Sequence, residues 1–317
     1  MTASLVYPPE WQKQISWQGL QISFIQAPSQ FSTTSDLGTT VLVHGFGACK
    51  EHWRHTVPAL IENHQVVAVD LVGFGGSDKP ASRLKSEASR QGWTYGIDSW
   101  AEQVVALIQT LQPGPVQLVG NSIGGVVALA AAQKLELKGT PVTQVVLIDC
   151  AQRNLDDKRL AEQPPLRRWG RPLLKSLVRQ RWFTRLVFKS VVSRGVIRKV
   201  LLQAYPSGRN VDDQLIDILI APAQQSGAEE AFHGFINLFD DRLAPEILET
   251  LSTPVAMIWG EKDPWEPIDE AQRWLRFPCV KSLYRLPGLG HCPHDEDPEA
   301  VNDKLKALLT QAEHPTC

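Results

Sequence analysis

Val116-Gln-Leu-Val-Gly-Asn-Ser-Ile-Gly-Gly-Val-Val-Ala-Leu-Ala130 is an apolar run broken by Gly120-Asn121-Ser122-Ile123-Gly124 and resumed at once. Residues 116–119 suit a buried strand, and 124–135, apolar nearly all round, suit a helix packed on a sheet. Glycines on both sides of Ser122 permit a sharp strand-to-helix turn. Such a turn lifts the hydroxyl clear of the backbone at a helix N-terminus. The same five residues also suit a plain turn, because G-x-S-x-G is short enough to arise by chance. The rest of the chain has to decide between the two.

Outward from that stretch the apolar-run-then-glycine form repeats. It recurs at 39–47 (TTVLVHGFG), 64–78 (HQVVAVDLVGFGGSD), 143–150 (TQVVLIDC) and 253–263 (TPVAMIWGEKD), and more weakly at 281–291 (KSLYRLPGLGH). Residues 11–27 read as a hairpin of two alternating strands joined at Gln18-Gly19. Helical spacing fills the gaps: 99–111 with Ser99 as its expected N-cap, and a last helix opened by Asp297-Pro298. Alternation of this kind predicts an α/β fold, a mostly parallel sheet flanked by helices. It lapses over 152–248, which reads as helices without a strong strand. The expected organisation is therefore core at 1–151, an inserted helical cap at 152–248, and core again at 249–317.

In open α/β sheets ligands bind beyond the carboxyl ends of the strands, so the residues just after each strand are the candidates. A serine hydroxyl needs a base to take its proton. His291 follows the last strand, in Gly290-His291-Cys292-Pro293-His294. The base needs an acid to fix its tautomer, and Asp263 follows the 253–260 strand. The chain order Ser122, Asp263, His291 is the one this architecture uses. The backbone N–H groups of Ile123 and Phe46, the latter in His44-Gly45-Phe46-Gly47, are expected to form the oxyanion hole. His294 is an alternative base and Asp149 an alternative acid. His44 reads as a loop-shaping hydrogen bonder, Cys292 as a packing residue, and 73–76 as a glycine-rich turn without the GK[ST] of a phosphate loop.

Taken together, His44-Gly-Phe-Gly47, the 70–77 segment, Gly120-Asn-Ser-Ile-Gly124, Gly260-Glu-Lys-Asp-Pro264 and Gly290-His291 resemble the α/β-hydrolase superfamily from about Trp11 to Gln311. The resemblance implies a serine hydrolase with an acyl-enzyme intermediate and no cofactor. More narrowly, 290–299 (GHCPHDEDPE), 259–265 (WGEKDPW) and 120–125 look like the pheophytinase and chlorophyll dephytylase branch. That branch implies cleavage of the phytyl ester of chlorophyll or pheophytin. A generic carboxylesterase or lipase, and a catalytically silent binding protein built on the same fold, are the competing readings.

Charge is unevenly spread. The net charge is −2, yet 166–199 holds eleven Lys or Arg and no Asp or Glu, leaving 21 basic against 34 acidic residues elsewhere. Within it Arg171, Lys175 and Arg179, and again Arg181, Arg185 and Lys189, recur at steps of four among Trp, Phe and Leu. A basic amphipathic helix with aromatics reads as a surface for anionic membrane, and a solvated polar face is the plainer alternative. Nothing in the recognition features favours nucleic acid. The cysteines at 49, 150, 279, 292 and 317 have no metal-ligand or pairing pattern, as suits a reducing compartment. The N-terminal residues lack a signal-peptide pattern. The expectation is an intracellular protein, not secreted, with at most peripheral membrane contact, at the thylakoid if the cell is photosynthetic.

Overall fold

The structure is a computed structural model describing residues 6–30, 38–140 and 142–313. Its centre is an eight-stranded sheet: β1 (Gln12–Trp17), β2 (Leu20–Ala27), β3 (Thr39–Val43), β4 (Gln65–Val69), β5 (Val116–Asn121), β6 (Val142–Ile148), β7 (Val255–Gly260) and β8 (Val280–Leu286). The strand order is β1-β2-β4-β3-β5-β6-β7-β8. β1 with β2 and β2 with β4 are antiparallel, and every later pair is parallel. At the β1–β2 turn Gln18 and Gly19 take φ of 50° and 78°, the two left-handed residues that a two-residue hairpin loop requires. β3, β5 and β7 are buried along their whole length. Burial on both faces explains why these strands read as unbroken apolar runs rather than alternating ones.

Helices cover both faces. The strand side chains separate with a period of two. Val41, Val43, Leu118, Val145 and Leu147 join the core under α2 (Ile97–Leu111) and α3 (Ile123–Leu137), while Leu42, Val119, Val146 and Ile148 join the core under α1 (Thr56–Leu60) and the C-terminal helix. Between β6 and β7 the described chain is helical: α4 (Pro165–Val178), α5 (Arg181–Val191), α6 (Arg194–Ala204), α7 (Asp213–Ala223), α8 (Ala228–Ile236) and α9 (Ala244–Leu248). Ala244, Ile247 and Leu248 of α9 lie in the main core, so the chain rejoins the core a few residues before 249. After β7 come α10 (Ile268–Trp274), α11 (Pro293–Glu296) and α12 (Pro298–Glu313).

Two local expectations are answered. Asp297 precedes Pro298 and its carboxylate accepts the Ala300 N–H, as an N-cap should. Ser99, by contrast, is not the cap of α2. The helix begins two residues earlier, behind Gly96, and the Ser99 hydroxyl donates back to the Gly96 carbonyl. The chain passes from β4 across β3 to β5, so the strand order reverses beside β3. The crevice at that reversal lies between the loops that follow β3 and β5.

Candidate active site

Ser122 sits between β5 and α3 with φ 54° and ψ −126°, and its N–H donates to the Ile148 carbonyl at 3.0 Å. A non-glycine residue held there is strained, and such strain persists only where the surroundings over-determine it. They do so here. A Cβ on Gly120 would lie 2.3 Å from the Gly124 carbonyl oxygen, and one on Gly124 would lie 2.3 Å from that of Val43. The turn closes only with glycine at both places.

His291 and Asp263 are joined. His291 Nδ1 lies 2.7 Å from Asp263 Oδ2, and the Asp263 side chain is fully shielded from solvent. The other carboxylate oxygen accepts the N–H groups of Trp265 (2.8 Å) and Glu266 (3.1 Å). With the Asp263 oxygen as acceptor, Nδ1 carries the proton and Nε2 keeps its lone pair for a proton from a neighbour. The indole of Trp265 stands edge-on to the imidazole at 4.8 Å.

Asn121 links the pieces. Its amide donates to the Ile148 and His291 carbonyls at 3.2 and 3.1 Å, so the residue before the serine holds the loop that bears the histidine. That loop is also tied to the helical segment. His291 N–H donates to the Ala204 carbonyl (2.8 Å), and the Tyr205 hydroxyl donates to Asp295 (3.1 Å), which Arg54 also grips. Asn121, Trp265 and Tyr205 were not singled out in the sequence. Asn121 sits inside the quoted motif, and its task depends on a partner 170 residues away.

The loop after β3 lies against the serine. A Cβ on Gly45 would meet the Ser122 Cβ at 3.1 Å. His44 shapes this loop as expected: the Leu71 N–H donates to its Nε2 (3.1 Å), while Nδ1 bonds the Gly45 carbonyl (2.7 Å). Burial lowers its pKa, consistent with a neutral ring that donates on one side and accepts on the other. Among the described residues no protein acceptor takes the backbone N–H of Phe46 or of Ile123. The Phe46 ring stacks on Phe235 at 3.7 Å, near Phe232 and Phe74. Beside it is a largely apolar cavity of about 50 Å³ walled by Phe46, Phe74, Phe188, Leu219, Pro222 and Phe232, among others. That is room for one or two waters.

The alternative residues are placed elsewhere. His294 is fully buried against Trp53 and His52, with no partner for either ring nitrogen among the described residues, and burial drives its pKa down. Asp149 accepts the Gly260 N–H (2.9 Å) and is fully buried at φ 42°. Burial first, and then repulsion from Asp263, push its pKa far above the ordinary carboxyl value. Burial thus disfavours the Asp149 carboxylate, and the histidine's partner is Asp263. Cys292 packs with Leu201, Ala204 and Tyr205, and burial raises its pKa, so the thiol is not ionised. Cys317 lies outside the described residues. The 73–76 turn wraps the Asp70 carboxylate, which accepts the Gly76 N–H. Cys49, Glu51 and Asp70 form the one donor group close enough for a metal ion among the described residues. The Lys50 ammonium already lies 2.8 Å from both carboxylates.

The cationic stripes expected on 166–199 are divided by the structure: Arg179, Arg185 and Lys189 are exposed, whereas Arg171, Lys175 and Arg181 turn to carboxylates. Arg171 is buried and, like Lys175, pairs with Asp157 and lies over the Phe239 ring. Arg181 pairs with Glu87 and Glu230. These cations face inward because carboxylates distant in sequence wait for them there. Among the described residues no helix is long and apolar enough to cross a membrane.

Residues 40–304 match the model of the alpha/beta hydrolase family, and the chain belongs to that family. It is similar to the uncharacterized hydrolase YugF of Bacillus subtilis, 29% identical over 86% of this chain and 89% of that one. It is similar also to the chloroplastic pheophytinase of Arabidopsis thaliana, 25% identical over 88% of this chain and 62% of that one. Among solved structures the epoxide hydrolase CorEH shares the fold with a TM-score of 0.75 at 21% identity, over 94% of this chain and 98% of that one.

Proposed function

We propose that this hydrolase is a serine esterase whose favoured substrate is the phytyl ester of a chlorophyll pigment. The observation that carries the esterase reading is Ser122 on a strained turn, whose neighbour Asn121 bonds the His291 carbonyl, together with the 2.7 Å His291–Asp263 pair. In this reading Ser122 Oγ attacks the ester carbonyl while His291 Nε2 takes its proton. The N–H groups of Phe46 and Ile123 receive the oxyanion. His291 then gives that proton to the leaving alkoxide, and the alcohol departs. Water, deprotonated by His291, attacks the acyl-enzyme, and the acid leaves as Ser122 recovers its proton. Asp263 holds the imidazole in the required tautomer throughout.

Support for the pigment comes from the 259–265 and 290–299 segments and from the similarity to pheophytinase. The aromatic wall around Phe46 suits an isoprenoid tail. Substrates of this kind reside in a bilayer, so the reading includes an intracellular site and peripheral membrane contact through 166–199, with 152–248 as a cap over the serine. The small cavity favours a second reading, a carboxylesterase or lipase for slimmer esters. A tetrapyrrole ester enters only if α5 and α8 part from Phe46.

The test is incubation of purified protein with detergent-dispersed chlorophyll and pheophytin, with Ser122→Ala beside it. Chlorophyllide or pheophorbide formed by the wild type alone is the expected result. Cleavage of nitrophenyl esters without pigment cleavage would keep the esterase and discard the phytyl ester. Folded wild type that neither cleaves esters nor takes up a fluorophosphonate probe would make the chain a silent binding protein.

A further inference from the structure

α4 is an amphipathic helix mounted inside out. At 100° per residue Leu166, Trp169, Leu173 and Leu177 fall within an arc of about 80°, and they point to solvent. Trp169 is 84% exposed, Leu166 82% and Leu173 76%. The opposite face carries Arg171 and Lys175, which are spent on Asp157 and Phe239. α5 continues the exposed surface with Trp182 and Leu186, 64% and 61% exposed, interleaved with exposed Arg185 and Lys189.

We infer that the outer faces of α4 and α5 form a docking surface for an anionic lipid bilayer. The inference extends the reading of a membrane-resident substrate by naming the face that meets the membrane. Charge selects the occupant. Exposed Arg168, Arg179, Arg185, Lys189 and Lys199 have no carboxylate partner among the described residues, and 166–199 contains no acid. A second copy of the chain seated on this face would set cations against cations, since 166–199 offers no carboxylate. Anionic headgroups neutralise them, and the exposed Trp and Leu side chains then enter the interfacial region. The inner side of α5 faces the candidate site. Phe188 packs on Phe232 at 5.3 Å, Phe232 lies against Phe46, and Thr184 bonds His233 at 2.8 Å. The helix that meets the lipid therefore also walls the cavity beside the oxyanion loop.

The experiment is flotation of the full chain with vesicles of phosphatidylcholine alone, and of equal parts phosphatidylcholine and phosphatidylglycerol. Nitrophenyl butyrate hydrolysis is read in parallel. The wild type is expected to float with the anionic vesicles. Arg185→Gln with Lys189→Gln should lower partitioning about thirtyfold, near fivefold for each cation lost. Trp169→Ala with Leu173→Gln should lower it at least tenfold, and both pairs should hydrolyse the soluble ester at the wild-type rate. The inference is overturned if the wild type stays with neither vesicle, or if both variant pairs float like the wild type. It is overturned too if ultracentrifugation shows a dimer that Trp169→Ala dissolves. Flotation as expected without ester hydrolysis would keep the docking surface and discard the esterase.

Discussion

α3 and α4 are both rich in apolar residues and end up in opposite circumstances. In α3 every residue from Ile123 to Ala132 is buried, because the helix lies under the sheet beside α2. In α4 only Arg171 and Val178 are buried among the residues whose side chains are described, and the leucines and the tryptophan face outward. The first helix spends its apolar surface on the fold and in return holds a serine at a strained φ. The second contributes little apolar burial and leaves the surplus exposed to solvent. The packed strand ends and the exposed apolar face of the helical segment are separable, and substitutions separate them.

The largest effect is expected where the strand-end chemistry is most concentrated. Asp263→Asn keeps the shape but offers His291 Nδ1 an amide in place of a carboxylate. The wrong tautomer then faces Ser122, and kcat should fall on the order of 10⁴-fold with the melting temperature little changed. Stopped-ester kinetics and calorimetry check this together. Retained activity would hand the acid's role to Asp149 and detach the rigid site from the Asp263–His291 pair. Next is Leu129→Ala on the buried side of α3, which should cost about 2–5 kcal/mol in urea unfolding, since Leu129 is wholly enclosed.

The strands and the three candidate residues were legible because each depends on near neighbours in sequence. A strand buried on both faces shows as an apolar run, and a serine elbow shows as paired glycines. The inward cations of α4 and α5 were not legible, for the opposite reason. Cations four residues apart form the same stripe whether they face water or protein. What decides is Asp157 and Phe239 for Arg171 and Lys175, and Glu87 and Glu230 for Arg181. Those partners are supplied by tertiary structure, and nothing local to the helix records them. The same holds for Asp149, whose raised pKa follows from burial and from Asp263 and not from any motif.

A smaller effect sharpens the strand-end side. Glu266 accepts the Gln152 N–H, and burial with repulsion from nearby Asp263 pushes its pKa from 4.5 up to about 8. The folded state therefore holds a proton that the unfolded state releases near pH 4.5. The stability this group lends is present below that value and is lost as the pH rises toward 8. Glu266→Gln keeps an acceptor for Gln152 and removes the titration. Its melting temperature should gain on the wild type progressively between pH 5 and about 8. Parallel curves across that window would show that Glu266 is solvated and that the carboxyl cluster behind the histidine is less dry than its geometry indicates.

The smallest expected effect is the most informative about α4. If its outward face touches nothing in this chain, Trp169→Ala should change unfolding free energy by no more than about 0.5 kcal/mol, although a buried tryptophan lost to alanine costs about 3–5 kcal/mol. The same chemical change made at the fully buried Trp100 of α2 provides the internal scale. A loss at position 169 approaching that scale would mean that the indole packs within the protein, and α4 would then resemble α3 after all. A near-zero loss in stability, set beside weakened vesicle binding by the same variant with Leu173→Gln, would show that one side chain serves the membrane without serving the fold.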